Sequence, residues 1–157
     1  MSKQKAFILI GLPGSGKSSW AYNFIKEECD KGHCVARVNN DAIRNVIYDN
    51  LGHRNWSKKI EKAVAAQREL EITKHYYEGN DIIVDNTHMS SHTLKSIINF
   101  CQQLGFDVVL KSFLHIPIEE CIRRDSLREG NEKVGEEVIR KMAKDISLII
   151  DMVRLFK

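Results

Sequence analysis

No stretch of this 157-residue sequence reads as a membrane span or an export signal: the longest apolar run near the start, Ala6 to Ile10, is too short for either, and Gly11 ends it. A cytoplasmic protein is expected. Cys29, Cys34, Cys101 and Cys121 show no CxxC spacing, so neither a zinc site nor a disulfide framework has support. Reduced, mostly packed thiols are expected instead. His88 and His92 are four apart with no third ligand nearby, and no metal site is expected from them. Charge of one sign is also scarce: 24 Lys and Arg against 21 Asp and Glu leave +3, far from the footprint of a protein that coats nucleic acid. If nucleic acid is bound, a local patch must do it. Internal repeats, low-complexity tracts and Pro/Gly/Ser-rich linkers are absent, so residues 1–157 are expected to form a single domain.

Apolar residues make up 43% and charged residues 29%, too apolar for intrinsic disorder. Short β-branched runs alternate with longer helical patterns, which predicts a parallel sheet with helices on its faces. Strands are expected at Phe7–Ile10, Cys34–Val38, Ile82–Asp85 and Asp107–Leu114. Helices are expected over 18–31, 41–50, 57–77 and 91–104, from Pro117 onward, and over 135–156. In the last of these, Ile139, Met142, Ile146, Ile149, Val153 and Phe156 recur at intervals of three and four. The stripe fits a dimer seam or a helix laid on its own domain, and the second is favoured because fewer than three heptads are present.

Gly11-Leu-Pro-Gly-Ser-Gly-Lys17-Ser18 fits G-x-x-x-x-G-K-[ST], between a predicted strand and a predicted helix as that motif requires. A chance match in a chain this long arises on the order of once in a few hundred sequences. Glycines let successive N–H groups face one phosphate, and the helix N-terminus adds partial positive charge. Lys17 is expected to reach the β- and γ-phosphates, and the Ser18 hydroxyl to supply a ligand to Mg²⁺. The expected nucleotide contacts are Gly11, Pro13, Gly14, Ser15, Gly16, Lys17, Ser18 and Ser19, with ATP or another NTP as the donor.

The acceptor must be read from the polar residues that follow the other strands, because ligands of such sheets meet at the strands' carboxyl ends. After the second strand, Asp41 and Arg44 are three apart on a first helical turn. Asp41 fits both a helix cap and a general base taking the proton of an attacking hydroxyl, and the phosphate loop one strand earlier favours the base. Arg44 fits an acceptor phosphate. The third strand ends in Asp85-Asn86-Thr87, where Asp85 fits a holder of a magnesium-bound water, an orienter of Arg44, or a turn former. Past the fourth strand, Arg124 and Arg128 share a helical face; they fit a mobile arginine segment over the phosphates, or a solvated face paired with Glu120 and Glu129. Tyr48, His53, Arg54 and Trp56 are either strand-stacking residues or ordinary loop and core residues.

Taken in order, GLPGSGKSSW at 11–20, NNDAIR at 39–44, IIVDNT at 82–87 and IPIEECIRRDSLREG at 116–130 resemble the phage-type 5′-polynucleotide kinases, the kinase half of the end-healing family. The resemblance covers nearly the whole chain. It implies a P-loop kinase fold with a four-stranded parallel core in the order 2-3-1-4, flanked by helices and carrying an arginine-bearing lid. It implies transfer of the ATP γ-phosphoryl group to a 5′-OH end of DNA or RNA. Asp41, Lys17 and Arg128 would be catalytic, Arg124 and Arg128 would close over the nucleotide, and Arg44, Asp85, Asn86 and Thr87 would hold the acceptor. A small-molecule kinase of the same class, acting on a nucleoside, sugar or nucleotide-sugar, is the alternative. Asn40 and Ala42 stand where some relatives carry an Arg and a second acidic residue.

Overall fold

The structure is a computed structural model that describes residues 3–86, 90–130 and 133–156, without the side chains of 147, 148, 152, 153 and 156. Thr87 and His88, and the Val153 and Phe156 side chains of the apolar stripe, lie outside what is described.

In chain order the elements are β1 (Lys5–Ile10), α1 (Lys17–Asp30), β2 (Val35–Val38), α2 (Asn40–Leu51), α3 (Lys58–Tyr77), β3 (Asp81–Asp85), α4 (Ser91–Leu104), β4 (Asp107–Ser112), α5 (Ile118–Ser126) and α6 (Glu136–Phe156). The strands form one sheet in the order β2-β3-β1-β4, and every pairing is parallel. This is a P-loop kinase fold, as the resemblance implies. The two interior strands must bury both faces, which explains their unbroken apolar runs: Ala6, Ile8, Leu9, Ile82, Ile83 and Val84 are all fully buried.

One face of the sheet, through Ala6, Ile8, Ile82 and Val84, packs on Ile72 of α3 and Leu94, Ile97 and Cys101 of α4. The opposite face, through Leu9 and Ile83, meets Ala21, Trp20 and Phe24 of α1 and Phe113. Trp20 and Phe24 stack there at 4.9 Å. Three helices open on side-chain caps: Asn39 accepts from the Ala42 N–H, Ser57 from that of Ile60 and Ser90 from that of Thr93. Each cap turns a polar residue just past a strand or loop into a defined helix start, and Asn39 thereby fixes the direction in which Asp41 and Arg44 project.

The described residues of the α6 stripe pack on the chain's own core. Ile139 is buried with Leu12 of the loop after β1 and Cys121 of α5, while Ile149 joins the core on the α3–α4 side. Of the cysteines, Cys101 and Cys121 are buried but Cys29 and Cys34 are exposed, which corrects the expectation of mostly packed thiols. Cys29 and Cys34 fall near the α1–β2 turn, where no layer covers them. Burial pushes the Cys101 thiol up to about 12, so it stays protonated. Among the described residues, no helix is long and apolar enough to cross a membrane.

Candidate active site

The loop between β1 and α1 is shaped by Gly14 and Gly16, whose φ angles of 82° and 99° are left-handed and strain any other residue. Gly14 is also closed in by α5, since a Cβ there would run into the Cys121 carbonyl. Lys17 opens α1, is 5% exposed, and donates to the carbonyls of Gly11 (2.6 Å) and Asn86 (3.0 Å). Burial pulls its ammonium from 10.5 down to about 8; the charges of Asp85 and Asp41 pull upward, and that of Arg128 pushes further down. The Ser15 hydroxyl is buried and finds no partner among the described residues. A left-handed glycine pair, an orphaned hydroxyl and a buried ammonium resting on carbonyls together fit an incoming polyphosphate. Pro13 is buried within this loop, while Ser19 faces outward on α1.

Beside the loop, β3 delivers Asp85, only 1% exposed. The Ser18 hydroxyl donates to Asp85 Oδ2 at 3.2 Å. Two hard oxygens this close fit a Mg²⁺ ion, directly or through its water shell. Asp85 does not orient Arg44, one of the expectations above. Its partner is Arg37 of β2, whose Nε and Nη2 donate to Oδ2 at 3.0 and 2.8 Å. The neighbouring strand reaches Asp85 first, because Val38 pairs with Val84 and Arg37 with Ile83 in the β2–β3 register.

Arg44 is instead held by α2 and α3: Nη1 donates to Asp41 Oδ1 at 2.7 Å, while Nε and Nη2 form a fork on Glu61. Asp41 remains 45% exposed in its side chain and close enough to Lys17 for its charge to be felt there. The start of α2 is tied to the end of β3 twice. Asn39 Nδ2 donates to the Asp85 carbonyl, and the Asn40 N–H donates to Asn86 Oδ1 at 2.9 Å. Since Lys17 donates to the Asn86 carbonyl, the phosphate loop and the Asp41 turn hang on one pair of residues. Asn40 is approached from below by Arg68 of α3, a 6% exposed cation whose Nη1 donates to Asn40 Oδ1 at 3.3 Å. A cavity of about 640 Å³ runs between α2, α3 and β2, lined by Ala42, Ile43, Val46 and Ile47. Asp41 and Arg44 project from nearly the opposite face of α2, so this cavity is not the space they face.

Arg124 of α5 donates through Nη1 to the Gly14 carbonyl at 3.3 Å and through Nε to Glu120 at 2.9 Å. Arg124 is thus salt-bridged to Glu120 and also touches the phosphate loop. The fork of Arg123 and the contact of Arg124 hold the Glu120 carboxyl down to about 2. Arg128 does not share a helical face with Arg124, because α5 ends at Ser126. It pairs with Asp125 at 3.7 Å instead. Asp125 is 1% exposed and accepts the N–H groups of Val134 and Gly135, anchoring the start of α6. Tyr48 is buried beneath Arg54, which leaves the exposed His53 and Trp56 as the rings open to a stacking partner among the residues proposed for that role.

Sequence reasoning missed Arg37, Glu61, Arg68 and Asp125 as members of this region. A charged residue in the middle of a β2 otherwise made of Val and Ala is a signal for Arg37, and a cation in the Ile60, Val64, Ile72 stripe is one for Arg68. Glu61 carried no such signal, since its partner comes from another helix.

Residues 7–149 match the family described as an AAA domain. The chain belongs to that family. Among curated relatives, this AAA domain is similar to the adenylyl-sulfate kinase of Bacteroides thetaiotaomicron, 27% identical over 73% of this chain and 54% of the relative. It is also similar to the L-seryl-tRNA(Sec) kinase of Methanococcus maripaludis, 24% identical over 86% of this chain and 49% of the relative. The chain thus spans about half the length of these curated relatives. Among solved structures, the AAA domain superposes on a chain of the Pnkp1/Rnl/Hen1 RNA repair complex with a TM-score of 0.80. That match covers 97% of this chain and 47% of the other at 24% identity, and it speaks to the fold.

Proposed function

We propose that this AAA domain is an ATP-dependent polynucleotide 5′-hydroxyl kinase. The observation that carries the reading is the placement of the Asp41–Arg44 pair. It stands at the carboxyl edge of the sheet, tied through Asn39 and Asn40 to the same β3 end that receives Lys17 and Ser18. In this reading Asp41 takes the proton of the acceptor hydroxyl as that oxygen bonds to the γ-phosphorus and the bond to the β,γ-bridging oxygen breaks. Lys17, Arg124 and Arg128 offset the negative charge on the phosphoryl oxygens. Arg44, with Asp85, Asn86 and Thr87, holds the acceptor end, and its fork on Glu61 keeps the guanidinium from collapsing fully onto Asp41. A magnesium ion held at Ser18 and Asp85 would supply electrostatic stabilisation of the phosphate oxygens.

The likeness in fold to a chain of an RNA repair complex supports a polynucleotide acceptor. A second reading, a small hydroxyl acceptor such as a nucleotide sulfate, is favoured by the adenylyl-sulfate kinases among the relatives. Incubation with γ-labelled ATP and either 5′-OH oligonucleotides of DNA and RNA or small hydroxyl acceptors separates the two. Label in the oligonucleotide alone supports the first, label in the small acceptor alone replaces it with the second, and no transfer at all refutes both. Asp41→Asn is expected to lower kcat on the true acceptor by about 100-fold or more while leaving nucleotide affinity within about twofold. Unchanged turnover in that variant would remove Asp41 from the chemistry.

A further inference from the structure

Asp85 is a carboxylate at 1% exposure, where a charge without compensation is strongly disfavoured. The compensation comes from Arg37, which places Nε and Nη2 on the same oxygen, Oδ2, at 3.0 and 2.8 Å. Its Nη2 also reaches Ser18 Oγ at 3.4 Å, and that hydroxyl donates to the same Oδ2. The guanidinium therefore lies on the two oxygens that would serve a divalent ion. Both cations cannot hold these atoms fully. A magnesium ion needs a lone pair of Ser18 Oγ and the carboxylate, directly or through its waters, and a guanidinium at hydrogen-bond distance sets a positive charge beside it.

Arg37 has somewhere to go. It stands on β2, one of the two outer strands of the sheet, with a quarter of its side chain exposed. Its Cζ is 5.4 Å from the centre of the exposed Tyr22 ring, a face that can keep a guanidinium when it leaves the carboxylate. Lys17, the other cation near Asp85, is occupied by the Gly11 and Asn86 carbonyls.

We propose that Arg37 is a resident counter-cation on the metal side of this site. It holds Asp85 and Ser18 in register before the donor arrives, yields Asp85 to the divalent ion that enters with the nucleotide, and so sets how tightly that ion is held. This inference rests on the nucleotide reading of the phosphate loop, but it does not depend on which acceptor is used. It makes Arg37 a positioning residue whose removal strengthens metal binding, whereas a merely structural residue would weaken it.

The test is Mn²⁺ binding, followed by the electron paramagnetic resonance signal of the free ion, in the presence of saturating AMPPNP. Arg37→Gln is expected to bind Mn²⁺ roughly five- to tenfold more tightly than the wild type, since one nearby positive charge has gone. An equal or weaker affinity with AMPPNP still bound overturns this inference alone. Failure of the wild type to bind AMPPNP overturns both it and the proposed function. If Arg37→Gln does not fold, the wild type decides the matter by NMR. The Arg37 Nε–H resonance is expected to shift and to exchange faster with water when Mg²⁺ is added to the AMPPNP complex, and an unaltered resonance overturns the proposal.

Discussion

Lys17 shows at the level of one residue how a phosphate site is prepared before phosphate arrives. Its ammonium is buried and is brought down from 10.5 to about 8, so in the free protein it is an expensive charge waiting for a partner. The consequence for stability has a definite sign. Below pH 8 both the folded and the unfolded chain carry the proton, and the full penalty of burying it is present. Between 8 and 10.5 the unfolded chain binds more protons than the folded one, so this group makes the protein more stable as pH rises. Lys17→Met has no such titration. The excess stability of Lys17→Met over wild type, from urea unfolding, is expected to fall by roughly 3 kcal/mol across that window. A difference that stays flat from pH 8 to 10.5 would show that the ammonium is not desolvated. Lys17 itself was legible from the motif, but its lowered pKa was not. That shift comes from burial of the ammonium by the folded chain, aided by the Arg128 charge and opposed by those of Asp85 and Asp41, which are 24 to 111 positions away in the chain.

At the scale of elements, α5 and the phosphate loop form one mechanical unit. The Gly14 backbone is pressed against Cys121, and Arg124 returns a hydrogen bond to the Gly14 carbonyl. Gly14→Ala therefore combines a left-handed φ of 82° with a collision against helix backbone that cannot rotate away. This substitution is expected to destabilise the fold by about 2 kcal/mol or more and to weaken nucleotide binding in calorimetry by at least tenfold. Wild-type affinity in Gly14→Ala would show that α5 moves aside freely. The boundaries of α1, α2, α3, α4 and α6 agree with the sequence expectation to within a residue or so, since periodicity and capping residues are local signals. Strand β4 is shorter than expected, ending at Ser112 instead of Leu114, because Phe113 turns to meet Trp20 and Ala21 of α1. The placement of Arg128 beyond the end of α5 was equally unreadable. It follows from Asp125 turning back to bind Val134 and Gly135.

Over the whole molecule, α6 connects α5 to the core. Ile139 is fully buried among Leu12, just past β1, and Cys121, while further along the same helix Ile149 enters the main core. Ile139→Ala is expected to cost about 2–4 kcal/mol in equilibrium unfolding, the range for emptying a buried branched side chain. It should also raise the KM for ATP, since the vacated space lies under both the loop and α5. A loss below about 0.5 kcal/mol would mean that α6 packs elsewhere in solution.

Two kinds of information separate in this protein. Alternating runs and caps marked out the helices and strands, and the spacing of Gly11, Lys17 and Ser18 announced a phosphate loop, because these depend on neighbours within a few positions. Only the folded chain decided that Asp85 would be claimed by Arg37, that Arg44 would be shared between Asp41 and Glu61, and that Arg68 would lie beneath Asn40. Those pairings depend on which strand lies beside which and on how each helix is rotated. Many side chains of the right charge compete for the same partner, and the parallel β2-β3-β1-β4 order selects among them by distance.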